Sequence, residues 1–264
     1  MIQASFVASR RTSILTMLGF ALTGCGGGGS GTRPPIGTQQ IRSIVSHSNG
    51  SSYPLSIYLP PDSEGAFDTL PVIYLLDGES RFQALLALIW SSNSRVIIVG
   101  IGNEIRRNTD YVPTNSCTSG GGGQGAFLDF IRLELTPYIE ANVGGDPQRR
   151  ILLGHSHGGS FVLYALFAQL AANHHFSAYL AADASIECMS GTVYGWESGY
   201  AAVNASLPVR LHLSYSAVVD NGPFAARVQS RSYSGLAMAA KSYDGGHLGM
   251  IPAAFAEGVA FALA

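Results

Sequence analysis

The chain has 264 residues, of which 47% are hydrophobic and 12% charged, and its formal net charge is -2. That length buries a full core in a single domain, and the charge balance excludes a basic surface for nucleic acid and an acidic run for a polycation. Small, mostly neutral ligands fit it best.

The first element is a targeting segment. Arg10 and Arg11 precede the apolar run Ile14 to Leu22, which is too short to span a bilayer, so residues 1–24 are expected to be a cleaved signal peptide. The run ends in Leu22-Thr23-Gly24-Cys25, which resembles the bacterial lipobox. That resemblance implies export and a lipid anchor on Cys25, at the membrane facing the periplasm or the cell surface. Ser9 to Leu15 also resembles a twin-arginine export signal, without its usual Phe and later Lys. Residues 25–39, rich in Gly, Ser and Pro, form a flexible tether, and the folded domain is expected over 40–264. Once Cys25 is set aside, Cys117 and Cys188 are candidates for one disulfide in an oxidising compartment.

Within the domain, Ile41 to His47 and Tyr53 to Leu59 alternate apolar and polar residues around Asn49-Gly50, which predicts an antiparallel hairpin. Pro71 to Leu76 and Arg95 to Ile101 are continuous β-branched runs of the kind buried on both faces of a parallel sheet. Helical spacing spans Arg81 to Trp90 and again Phe127 to Asn142, where Pro137 should kink or divide the helix. Between them, Arg107 and Asp110 are expected to pair locally, and Thr118 to Gly125 reads as a mobile loop. Then follow a strand (Arg150 to Gly154), a helix (Ser160 to Ala172) and two strands (Ser177 to Ala182 and Val209 to Tyr215). A helix (Phe224 to Arg231), a strand (Leu236 to Tyr243) and a last helix from Pro252 end the chain. Tyr194 and Trp196, between two strands, suit either a cap over substrate or plain packing. The alternation predicts an α/β fold: a mainly parallel sheet behind an N-terminal hairpin, with helices on both faces and ligands at the carboxyl ends of the strands.

The stretch Gly154-His155-Ser156-His157-Gly158 matches Gly-x-Ser-x-Gly, but with 32 glycines and 30 serines in the chain about 0.4 matches arise by chance. Its place between a buried strand and an apolar helix carries more weight. There Ser156 sits on a sharp turn that presents its hydroxyl above the sheet, and Gly154 and Gly158 spare side chains that would collide with strand and helix. A serine nucleophile needs a base, and His247, in a Gly-Gly-His loop beyond the last strand, suits it. His155 and His157 point elsewhere and line the pocket. The acid that orients His247 is Asp220 by first choice, with Asp183 as the alternative and Asp244, three residues from His247, third. Oxyanion donors would be the amide of His157 and one from the loop Asp77-Gly78-Glu79-Ser80, assigned to Glu79. No Cys/His spacing suits zinc and no dinucleotide motif is present, so neither metal nor cofactor is inferred.

These residues resemble the α/β-hydrolase esterases that include S-formylglutathione hydrolases, siderophore trilactone esterases, feruloyl esterases and mycobacterial mycolyltransferases. The likeness runs from about Ile41 to the end, through "LPVIYLLDGES", "RRNTDYVPT", "FLDFIRLELTPYIE", "LLGHSHGGSF" and "DGGHLGM". It implies that Glu79 donates an oxyanion amide. Members often carry Gly-x-x-Glu after the seventh strand, where this chain has "SYSAVVD". The resemblance implies a serine hydrolase that cleaves carboxylic esters, small or polymer-linked, through an acyl-enzyme. Siderophore trilactone hydrolysis, acyl transfer to an alcohol, and a non-catalytic binding lipoprotein are the alternatives.

Overall fold

A computed structural model describes residues 37–61, 67–168 and 174–264. The signal segment, Cys25 and the tether up to residue 36 lie outside the described residues, as do the last residues of the helix expected to reach Ala172. The first strand begins at Thr38, two residues before the expected start of the domain.

In chain order the elements are β1 (Thr38–Val45), β2 (Ser52–Leu59), β3 (Val72–Leu75), α1 (Gly78–Ser92), β4 (Ile97–Ile101), α2 (Arg107–Asp110), α3 (Gln124–Asp129) and α4 (Thr136–Asn142). They continue with β5 (Arg150–His155), α5 (His157–Phe167), β6 (Ala178–Ala182), α6 (Thr192–Val203), β7 (Arg210–Ser216), α7 (Gly222–Ser230), β8 (Ala237–Tyr243), α8 (Gly246–Gly249) and α9 (Ile251–Leu263). One eight-stranded sheet runs β1-β2-β4-β3-β5-β6-β7-β8. β1 and β2 form the antiparallel hairpin, β2 pairs antiparallel with β4, and the remaining pairs are parallel.

The central strands are apolar on both faces because both are covered. On β3, Val72 and Tyr74 join the larger core with Phe127, Phe130 and Phe161, while Ile73 and Leu75 face Phe82, Leu86 and Phe255 of α1 and α9. The strand order reverses between β3 and β5: the chain leaves β3 toward β4 and returns on the other side. A crevice opens at such a reversal, outside the carboxyl ends of the strands. The loop after β3 and the turn after β5 both end there.

The expectation that Pro137 kinks or divides its helix needs correction: the chain stays helical from Gln124 to Asn142 and changes its hydrogen-bond spacing instead. Pro137 sits in the first turn of α4, and the preceding Phe130–Leu135 widens into a π-helical turn because proline cannot donate to the ladder. Cys117 and Cys188 form a disulfide across a separation of 71 residues. With that tie, and with Gly122 and Gly123 donating to the carbonyls of Val112 and Thr109, the glycine-rich loop is held down instead of hanging free. The segment with Tyr194 and Trp196 is a helix, α6, that packs on the core. Trp196 meets Tyr164 edge-on at 5.0 Å and Tyr194 meets Phe224 at 5.3 Å, which favours packing over a cap.

Candidate active site

The turn between β5 and α5 places Ser156 at φ 62°, ψ −123°, a conformation that costs a non-glycine residue about 1–3 kcal/mol. Its amide donates to the Ala182 carbonyl at 2.9 Å. A Cβ on Gly154 would lie 2.4 Å from the carbonyl oxygen of Gly158, so strand and helix meet there only because Gly154 has none. The expectation for Gly158 needs correction: a Cβ there would make ordinary contacts at 3.5 Å, whereas one on Gly159 would approach the Ala182 carbonyl to 2.8 Å. Gly159 is thus the second glycine the turn requires.

His247 lies on α8, after Gly245 and Gly246, both at positive φ. Its Nδ1 stands 2.7 Å from Oδ2 of Asp183, a fully buried carboxylate at the end of β6. Asp183 also accepts from the Ser216 amide at 2.6 Å and the Ser216 hydroxyl at 2.9 Å. A carboxylate only accepts, so the hydrogen between the two groups belongs to His247 Nδ1 and its Nε2 is left with a free lone pair. The acid on His247 is therefore Asp183, and the first choice, Asp220, is corrected. Asp220 lies four residues beyond β7, exposed to solvent, and its Oδ1 accepts from the Gly222 amide at 3.2 Å, closing its own turn. Asp183 has the place because β5 and β6 are neighbours in parallel register, His155 opposite Ala182, so Ser156 and Asp183 leave the sheet side by side. Asp244 is exposed and makes no bond to the His247 ring.

Ser156 and His247 line one open cleft of about 430 Å³ with Asp77, Arg81, Glu104, Arg107, His155 and Leu248. Ser156 Oγ shares a hydrogen bond with Ser185 Oγ at 3.2 Å, in which either hydroxyl can donate. The two expected oxyanion donors sit where helices begin: Glu79 is the second residue of α1 and His157 the first of α5. Because β3 and β5 are parallel neighbours, both helix N-termini face the same end of the sheet. The Glu79 side chain is structural: its Oε2 accepts from the Asn103 amide at 3.1 Å, tying α1 to the segment after β4.

The flanking histidines differ. His155 forms a wall of the cleft, while the His157 ring turns to the disulfide, with Nε2 3.5 Å from Cys188 Sγ. Arg107 does not pair with Asp110, contrary to expectation. Arg106 takes Asp110 at 3.2 Å, and Arg107 bonds Asp77 at 3.4 and 3.2 Å. Burial raises the Asp77 carboxyl above its ordinary pKa, and the Arg107 guanidinium pulls it back. Arg81 also lines the cleft, with a buried Nε that has no hydrogen-bond partner among the described residues.

Two clusters of described residues each bring three residues of metal-ligating type together: Cys117, His157 and Cys188, and His155, Asp183 and His247. The sulfurs of the first are joined to each other, and the second is spent on its internal hydrogen bonds. Sequence reasoning missed Ser185, Ser216 and Arg81. Ser185, two residues after a strand-ending aspartate, had a weak signal in that position; the other two had none.

The family model described as "Putative esterase" matches residues 46–208. The chain is 30% identical over 164 residues to a siderophore triacetylfusarinine C esterase of Aspergillus fumigatus, covering 54% of each protein. It is 30% identical over 188 residues to the ferri-bacillibactin esterase BesA of Bacillus subtilis, covering 60% of this chain and 62% of that one. The matches thus span less than two thirds of these relatives' length. Among solved structures, the IroE-like serine hydrolase from Shewanella oneidensis superposes with a TM-score of 0.76 at 27% identity, over 84% of this chain and 79% of that one. The BES protein from Bacillus cereus superposes at 0.74 with 25% identity, over 89% and 99%.

Proposed function

Because the chain belongs to the esterase family of that description, we propose that it is a serine hydrolase of carboxylic esters. The observation that carries this is the 2.7 Å bond donated to a fully buried aspartate by a histidine that shares its cleft with a strained serine. When an ester enters, the Ser156 hydroxyl hydrogen turns to His247, a tightening common once substrate is bound. Oγ attacks the carbonyl carbon as its proton passes to His247 Nε2, and Asp183 stabilises the imidazolium. The amides of Glu79 and His157 receive the oxyanion. The tetrahedral intermediate collapses, the alcohol leaves with the proton from His247, and the serine ester is hydrolysed by water that His247 deprotonates in turn.

A fluorophosphonate probe should label the wild-type protein at Ser156 and leave Ser156→Ala unlabelled; equal labelling of both would end this reading. The same preparation decides the substrate. Arg81 brings to the cleft a guanidinium whose Nε has no partner among the described residues, beside the Arg107–Asp77 pair and Glu104, which suits an ester with an acidic or catecholate arm, and the two relatives described above are named as esterases of siderophore triacetylfusarinine C and of ferri-bacillibactin. A catecholate trilactone should then exceed a short aliphatic ester in kcat/KM, and the reverse ranking would favour a general esterase.

The Leu22 to Cys25 motif supports export with a lipid on Cys25. No helix among the described residues is long and apolar enough to cross a membrane. Radiolabelled palmitate should enter the wild type in a bacterial host and not Cys25→Ala, and an unlabelled wild type would remove the anchor.

A further inference from the structure

The segment that carries His247 is loosely built. Three glycines, Gly245, Gly246 and Gly249, stand within two residues of it. A Cβ on Gly246 or on Gly249 would meet nothing within 4 Å, so no side-chain packing holds these two positions, and the backbone there is fixed by the bonds from the Gly249 amide to Gly245 and from the Met250 amide to Gly246. α8 itself is a single four-residue turn that runs through Met250 into α9, and a turn of that length takes its shape from what it is joined to. Glycine loses more freedom on ordering than other residues, so this segment needs outside anchors to keep one geometry. Asp183 anchors the ring of His247. Its main chain has a second tie, which the proposed mechanism does not use.

That tie comes from His155, the last residue of β5 and 2% exposed, so fixed in the sheet. Its Nε2 lies 2.8 Å from the main-chain oxygen of His247, across 92 residues of sequence. The two imidazoles also pack together, with centroids 4.5 Å apart and planes tilted by 42°.

We propose that His155 is a positioning residue, which holds the His247 segment to the sheet by donating its Nε2 hydrogen to the His247 carbonyl. The inference rests on the hydrolase reading above for its effect on rate, but not for the contact itself.

The donor assignment follows from chemistry, because a carbonyl oxygen can only accept. Burial lowers the His155 pKa to about 4; the Arg81 guanidinium and the His247 ring push in the same direction, while the carbonyl bond and Asp183 oppose. At neutral pH the ring is uncharged, and its single hydrogen is committed to that bond. An uncharged neighbour also matters electrostatically. His247 must become an imidazolium as it takes the serine proton, and a second cation at ring-contact distance would oppose that step. His155 can therefore hold the base without competing for its charge. A flanking histidine of the serine motif thus serves the base as well as the wall of the cleft.

Two substitutions in the full chain separate the hydrogen bond from the packing. His155→Phe keeps a ring of similar volume and removes the donor. His155→Gln places a side-chain N–H near the position of Nε2. His155→Phe should lower kcat on an activated ester about 10- to 100-fold, the scale of a misplaced catalytic group, with KM within about threefold; His155→Gln should return most of the loss. The Nδ1 hydrogen between His247 and Asp183 should give a low-field proton resonance in the wild type and in His155→Gln, and a broadened or absent one in His155→Phe. Circular dichroism and thermal melting confirm that each variant is folded. The proposal is overturned if His155→Phe keeps wild-type kcat and a sharp resonance, or if His155→Gln is as impaired as His155→Phe. A wild type that turns over no ester would refute the hydrolase reading and leave the resonance comparison to decide the role of His155.

Discussion

Replacing Asp183 by asparagine should lower kcat about 10,000-fold, while Asp220→Asn stays within about twofold of wild type. The asparagine carbonyl can still accept from Ser216, but its amide nitrogen would donate to His247 Nδ1 and move the ring hydrogen to Nε2. The ring then offers Ser156 a hydrogen where it needs a lone pair, and the imidazolium loses its counter-charge. Asp220 bonds only within its own turn, and losing one carboxylate oxygen there leaves the cleft as it was. Steady-state kinetics on one activated ester, with thermal melts to confirm folding, decide between the two. A collapse of kcat in Asp220→Asn with an unaffected Asp183→Asn would return the role to Asp220.

Ser156→Gly should abolish turnover, with kcat down about a million-fold, and leave a protein at least as stable as wild type. Ser156 holds φ at 62°, a strain of about 1–3 kcal/mol that glycine does not bear. Against this stands the extra freedom a glycine gains on unfolding, about 0.5–1 kcal/mol. The net gain of about 1 kcal/mol corresponds to a melting temperature higher by about 2–4 °C for a domain of this size. Calorimetry beside the kinetics tests both halves. A variant that melts well below wild type would mean that the turn is not strained, or that the Ser185 contact contributes more than the strain costs.

These two substitutions also mark how far the sequence could be read. The buried β-branched runs of β3 and β4, the antiparallel hairpin and the strand–serine–helix turn were legible because each is encoded by neighbours in the chain. α6 was not, since Gly195 and Gly199 weaken its helical signature and packing against Tyr164 and Phe224 supplies what propensity lacks. The acid was illegible for a different reason. Asp183 and Asp220 both follow strands, and only the pairing of β5 with β6 separates them. That pairing is a property of sheet order, which local sequence does not carry. Arg107 shows the same limit: its partner, Asp77, lies 30 residues away on the far side of β4.

Sheet order has one more consequence. The serine, the acid and both helix N-termini come from the middle of the sheet, but His247 follows β8, an edge strand bonded only to β7 and half open to solvent along its length. Edge segments with few buried contacts open locally at a fraction of the free energy of global unfolding. Opening β8 would free one end of the segment that carries the base, while Asp183, His155 and α9 hold the other contacts to the middle of the sheet. Catalytic competence in this protein therefore depends on the edge of the sheet as well as on its centre, because the segment that carries His247 is strung between β8 and α9.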